Sequence, residues 1–160
     1  MNVIAWSPNL TAEKCKEAGV GYATKEELFS TADIVTIHVV LSERSRGLVG
    51  RDDLTRMKPT AYLVNTARGP VVDIPALVAA VQAGQLAGAG IDVLPVEPCP
   101  VDDPVLHEPR IVVTPHLAAS SVEAVRDVRI RGAEEALRVL NGNPPKYPVN
   151  NPATVRSAAD

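Results

Sequence analysis

Short apolar runs alternate with helix-length amphipathic segments along most of this chain, and few folds accommodate that alternation. A strand-length run, then a helical pattern, then another such run is the signature of a parallel sheet with covering helices. Residues 2–6 read as a buried strand. Thr11 then stands as an N-cap for a helix over 12–18, closed by Gly19. Residues 20–22 form a short strand, and Thr24 with Glu27 makes a capping box for a helix over 25–30. Residues 34–39 are a continuous apolar strand interrupted by Thr36 and ending at His38. Residues 51–57 are a short helix stopped by Pro59, and 61–64 are the next strand. Asp73 caps a helix that runs through Ala83, with Pro75 tolerated in its first turn and Gly84 just past its end. Residues 88–93 and 111–113 complete the strand set.

The tail differs. From about residue 121 to 140, apolar residues recur at Val122, Val125, Ile130, Ala133, Leu137 and Leu140, near helical spacing with one register shift. Asn141-Gly142 ends this helix, Pro144-Pro145 prevents its return, and the remaining polar, proline-containing residues read as an extended tail.

At 160 residues the chain fits one ordinary domain with a real core. Aromatic residues are only 3%, so Val, Ile, Leu and Ala must fill that core. The net charge of −3 and the absence of any Lys/Arg run argue against a nucleic-acid partner. No apolar stretch reaches the ~18 residues of a membrane span. The N-terminus lacks a signal-peptide layout. Cys15 and Cys99 form neither a CxxC motif nor a disulfide framework, which fits two reduced thiols in the cytoplasm.

Three stretches carry chemistry: residues 63–73 (LVNTARGPVVD), 88–98 (GAGIDVLPVEP) and 114–121 (TPHLAASS). Each reads as the carboxyl end of a parallel strand, where open α/β sheets bind ligands. Arg68 can hold a carboxylate with its rigid fork of donors. His116 can pass a proton near neutral pH, and Glu97 can orient that imidazole and favour its charged form.

With Asn65-Thr66-Ala67-Arg68-Gly69, Asp92-Val93, Glu97-Pro98 and Thr114-Pro115-His116, the chain resembles the D-isomer-specific 2-hydroxyacid dehydrogenases from Met1 to about Gly142. The resemblance implies a Rossmann-like α/β fold with a doubly wound parallel sheet. It also implies hydride transfer between NAD or NADP and a 2-hydroxy or 2-oxo acid. Arg68 would bind the substrate carboxylate, His116 would donate the proton, and Glu97 would pair with it. Asp92 would lie beside the nicotinamide carboxamide. His38, Val39 and Val40 would line the adenosine, and Thr66 and Ala67 would lie under the nicotinamide ribose. A homodimer is the implied assembly.

Departures from the family pattern qualify this. Where NAD-using members place an acidic residue to bind the ribose 2′-OH, this chain has Trp6-Ser7-Pro8-Asn9. Ser7 does not repel a 2′-phosphate, which points to tolerance of NADP or preference for it. Ala118 and Ala119 stand where glycines are common, slightly crowding the cofactor, and Val40 replaces a frequent proline. The family's GxGxxG turn, expected before Met1, is missing, so the chain begins at the second strand of that domain. The expected organisation is an incomplete nucleotide domain over 1–118, a connecting helix over 119–142 and a tail over 143–160. Without the first strand, a vacancy of about 9–10 Å should separate its two neighbours. The expectation is therefore that the full protein is longer than this sequence. The alternative reading is a truncated, non-catalytic binding or dimerisation module. A formate-dehydrogenase-like member is disfavoured, because Glu97 stands where those use Gln.

Overall fold

The structure, a computed structural model, describes residues 1–149. Two compact units divide the chain: Met1–Leu117, and a second that begins at Ala118.

In the first unit, β1 (Ile4–Ala5) leads through α1 (Ala12–Glu17) to β2 (Gly21–Tyr22), then through α2 (Lys25–Thr31) to β3 (Ile34–Ile37). After α3 (Arg51–Arg56) come β4 (Tyr62–Asn65), a 3-10 turn (Gly69–Val71), α4 (Ile74–Gln82), β5 (Gly88–Ile91), a second 3-10 turn (Pro104–Leu106) and β6 (Ile111–Val113). Among the described residues every strand pairing is parallel, with helices between most strands, so the parallel sheet expected from the alternation and the Rossmann-like α/β fold implied by the resemblance are present. The expected caps form. Thr11 accepts from Lys14 N–H, Thr24 and Glu27 close a capping box, and Asp73 accepts from Ala76 N–H.

The strands form two sheets, β1-β2 and β3-β4-β5-β6, with no ladder joining them among the described residues. The first strand is shorter than residues 2–6 because its ladder reaches only Ile4 opposite Gly21 and Ala5 opposite Tyr22. In the larger sheet Val35, Leu63, Ala89 and Ile111 stand in one row across the four strands, and all are buried. Phe29 of α2, Leu54 of α3, and Leu77 and Val81 of α4 join them in one core. Each such side chain contributes about 1.5–3 kcal/mol by leaving water.

The opposite face corrects one expectation. The run at 34–39 is expected as one continuous apolar strand, yet β3 stops at Ile37 and alternates: Val35 and Ile37 are buried while Ile34 is 58% exposed. Tyr62 at 50% and Val112 at 65% share its orientation, because residues one apart point to opposite faces of a strand. The ladder ends at Ile37 opposite Asn65, so His38 and Val39 lie beyond the strand.

In the second unit α5 (Val122–Leu140) is capped by Ser121, which accepts from Ala124 N–H at 3.1 Å. Arg138 Nε donates to the Pro144 carbonyl at 2.6 Å, and Lys146 N–H to Glu135 Oε2 at 2.7 Å. No residue of α5 is buried. Of the expected tail, 143–149 have no regular secondary structure, and 150–160 lie outside the described residues. Both cysteines are free thiols. Among the described residues no helix is long and apolar enough to cross a membrane.

Candidate active site

The register of the larger sheet brings three strand ends together: Asn65 of β4 pairs with Ile91 of β5, and Ile91 with Val113 of β6. The loops that carry Arg68, Asp92 with Glu97, and His116 therefore leave the sheet side by side at its carboxyl edge.

Asn65 shapes the first loop. It is fully buried. Its Oδ1 accepts from Ala67 N–H at 3.0 Å, and its Nδ2 donates to the Arg68 carbonyl at 3.1 Å. Both ends of the amide thus hold the backbone of residues 66–68. The exposed Arg68 guanidinium donates to the Ala67 carbonyl at 2.6 Å. Gly69 then packs its backbone directly on the next loop. A Cβ there would stand 2.0 Å from the Leu94 carbonyl carbon and 2.4 Å from Pro95 N, so only glycine permits the approach. Leu94 N–H in turn donates to Glu97 Oε1 at 2.8 Å. The Arg68 and Glu97 loops are therefore spaced by backbone contact.

His116 Nδ1 and Glu97 Oε2 lie 2.9 Å apart. The hydrogen bond from His116 is the main reason the Glu97 carboxyl is held below its ordinary range, with Leu94 N–H adding to it. An ionised Glu97 fixes the tautomer that carries a proton on Nδ1, leaving Nε2 to exchange a proton with a ligand. His116 has φ +56°, an uncommon left-handed conformation for a residue with a Cβ, at a cost of about 1–2 kcal/mol. Its N–H donates to the Asp92 carbonyl at 2.9 Å and to the Thr114 carbonyl at 3.0 Å. Asp92 is 5% exposed. Its Oδ1 accepts from the Thr114 hydroxyl and from Leu117 N–H.

A cleft of about 440 Å³ opens among Asp92, Glu97, Cys99, Thr114 and His116. A neighbouring apolar groove of about 650 Å³ runs between α4 and the 94–104 loop, with Cys99 on both. Burial pushes the Cys99 thiol up, and Asp103 and Asp102 push it further, so it stays an uncharged wall residue.

The other sequence-derived candidates are divided among the ends of β3 and β4, the smaller sheet and the second unit. His38, just past β3, meets Thr36 Oγ1 at 3.0 Å through Nε2. Val39 is half-buried, Val40 and Thr66 are exposed, and Ala67 is half-buried. Ser7 follows β1 in the smaller sheet, where its carbonyl accepts from Leu10 N–H at 3.1 Å. Ala119 belongs to the second unit. Sequence reading assigned no task to Asn65, Gly69 or Thr114. Their place inside the NTARG and TPH motifs was the available signal, but their partners lie on other loops or in the backbone.

Comparison with known proteins shows what the chain is similar to. The family model for the NAD binding domain of D-isomer specific 2-hydroxyacid dehydrogenases matches residues 1–118. D-3-phosphoglycerate dehydrogenase of Bacillus subtilis is 38% identical over 156 residues, covering 98% of this chain and 30% of the relative. Glyoxylate reductase of Korarchaeum cryptofilum is 43% identical over 135 residues, covering 84% of this chain and 41% of the relative. The crystal structure of D-lactate dehydrogenase with NAD+ from Lactobacillus jensenii superimposes with a TM-score of 0.81 at 28% identity, covering 93% of this chain and 48% of that one. The chain thus spans less than half the length of these relatives.

Proposed function

The chain belongs to the D-isomer specific 2-hydroxyacid dehydrogenase family, and from that premise we propose that it carries the catalytic half of an NAD(P)-dependent 2-hydroxyacid dehydrogenase. The observation that carries the reading is the His116–Glu97 pair, set in a cleft at the sheet edge, with the Arg68 loop leaving the adjacent strand end.

Arg68 pairs with the substrate carboxylate, for which its forked donors suit both oxygens. His116, charged and held by Glu97, gives its Nε2 proton to the carbonyl oxygen of a 2-oxo acid as that carbon is reduced. In the reverse direction it receives the proton from the 2-hydroxyl. The nicotinamide nucleotide, when bound, supplies or accepts the hydride. The residues present suit that group. Exposed Val40 and Thr66, with half-buried Val39 and Ala67, line the ends of adjacent parallel strands, the usual seat of a dinucleotide. In this reading His38, Val39 and Val40 face the adenosine, Thr66 and Ala67 the nicotinamide ribose, and Asp92 the carboxamide. Ser7, with no carboxylate at its position, admits the 2′-phosphate of NADP as well as NAD. In this reading the active form is a homodimer.

The test is oxidation of NADH and NADPH by the purified chain with glyoxylate, hydroxypyruvate and pyruvate. Turnover that is lost in His116→Ala and Arg68→Ala supports the reading, since general acid catalysis alone is worth about 10²–10⁴-fold. A second reading, a non-catalytic binding or dimerisation module, is favoured by the unjoined sheets and the bare face at Ile34, Tyr62 and Val112. Nucleotide binding or self-association without turnover would select it.

A further inference from the structure

Thr114 follows β6 directly, and its backbone N–H continues the ladder by donating to the Ile91 carbonyl at 2.9 Å. Its hydroxyl leaves that line and donates to Asp92 Oδ1. The same oxygen accepts Leu117 N–H at 2.8 Å, while the Asp92 carbonyl accepts His116 N–H at 2.9 Å. Asp92 therefore holds the chain on both sides of the one described non-glycine residue with positive φ, His116.

We propose that Thr114 is a positioning residue for His116: its hydroxyl orients the Asp92 carboxylate, which locks the left-handed turn and keeps the imidazole on Glu97. The inference rests on reading His116 and Glu97 as the acid–base pair. A buried carboxylate that loses a hydroxyl donor does not regain it cheaply from water. It turns to find another partner, and in turning it releases Leu117 N–H. The His116 turn then relaxes towards ordinary backbone conformations and carries the ring away from Glu97. Threonine suits the task because its branched Cβ restricts χ1 and so fixes the direction of Oγ1.

The experiment follows the Glu97 carboxyl carbon by NMR through an acid titration of the 160-residue chain, with His116 and Asp92 as the charged groups around it. In the unsubstituted chain Glu97 titrates below its ordinary range. In Thr114→Val, which keeps the shape and removes the donor, it is expected to rise towards that range. In Thr114→Ser, which restores the donor, it is expected to stay low. A role in packing alone would lower the unfolding midpoint of Thr114→Val and leave the Glu97 titration unmoved, and that result overturns the proposal. An equal rise in Thr114→Ser overturns it too. A second measurement needs no variant: the Thr114 hydroxyl proton should exchange slowly enough with water to be observed, and a freely exchanging one refutes the bond. None of these readouts requires turnover, so a chain without dehydrogenase activity leaves the test intact.

Discussion

The Cα of Gly69 lies against the peptide joining Leu94 to Pro95, so closely that a Cβ there would stand 2.0 Å from the Leu94 carbonyl carbon. Both partners are backbone, and neither can rotate out of the way. Gly69→Ala should therefore part the Arg68 loop from the Glu97 loop and destabilise the fold by about 1–3 kcal/mol. Urea denaturation checks this: the midpoint falls while the slope stays the same. A midpoint equal to that of the unsubstituted chain would show that the two loops are not spaced by this contact.

Asn65→Ala removes an acceptor and a donor at once. Ala67 N–H and the Arg68 carbonyl lose their partner at a fully buried side chain, at a cost of about 2 kcal/mol. Asn65→Asp should be worse despite its similar shape. It keeps the acceptor for Ala67, but sets a buried negative charge against the Arg68 carbonyl, where the native amide donates. Thermal unfolding of the two variants should rank them in that order.

The sequence made some of these relations visible and hid others, for definite reasons. Thr24 and Glu27 are three residues apart in chain and in space, so their capping box could be read directly. The Glu97–His116 contact spans nineteen residues and became legible only because both side chains sit in recognisable motifs. Gly69 against Leu94 had no such signal, since one backbone touching another leaves no side-chain pattern. The Thr114–Asp92–Leu117 hydrogen bonds were hidden because the His116 turn that creates them is a backbone conformation unusual for histidine. The exposure of Ile34 was missed because an apolar run cannot say whether both of its faces are covered.

Ser7 stands at the end of β1, where a carboxylate would favour a free ribose 2′-hydroxyl and repel a 2′-phosphate. Ser7→Asp is expected to weaken NADPH binding at least about tenfold relative to NADH, a difference of about 1.4 kcal/mol. Fluorescence titration with the two reduced nucleotides measures it. An unchanged ratio would remove Ser7 from the nucleotide site.

Glu97, Glu27 and Glu108 are each held below the ordinary carboxylate range. The hydrogen bond from His116 is the main cause for the first, the Thr24 backbone N–H for the second and the Arg110 guanidinium for the third. In the unfolded chain they return to about 4.3. Between the folded and unfolded values the unfolded chain binds more protons, so the free energy of unfolding increases with pH through that window. The stabilisation is complete above the unfolded value and is lost as pH falls through the folded ones. Glu108 offers the cleanest isolation of the effect. Its Oε1 meets Arg110 Nε at 2.9 Å and accepts Arg110 N–H as well, and the pair lies apart from the His116 cleft. Urea denaturation across acid pH should show Glu108→Gln less stable than the unsubstituted chain above about pH 5, with the gap narrowing steadily below it. A gap that stays constant into acid would mean that Glu108 stabilises the fold without its charge.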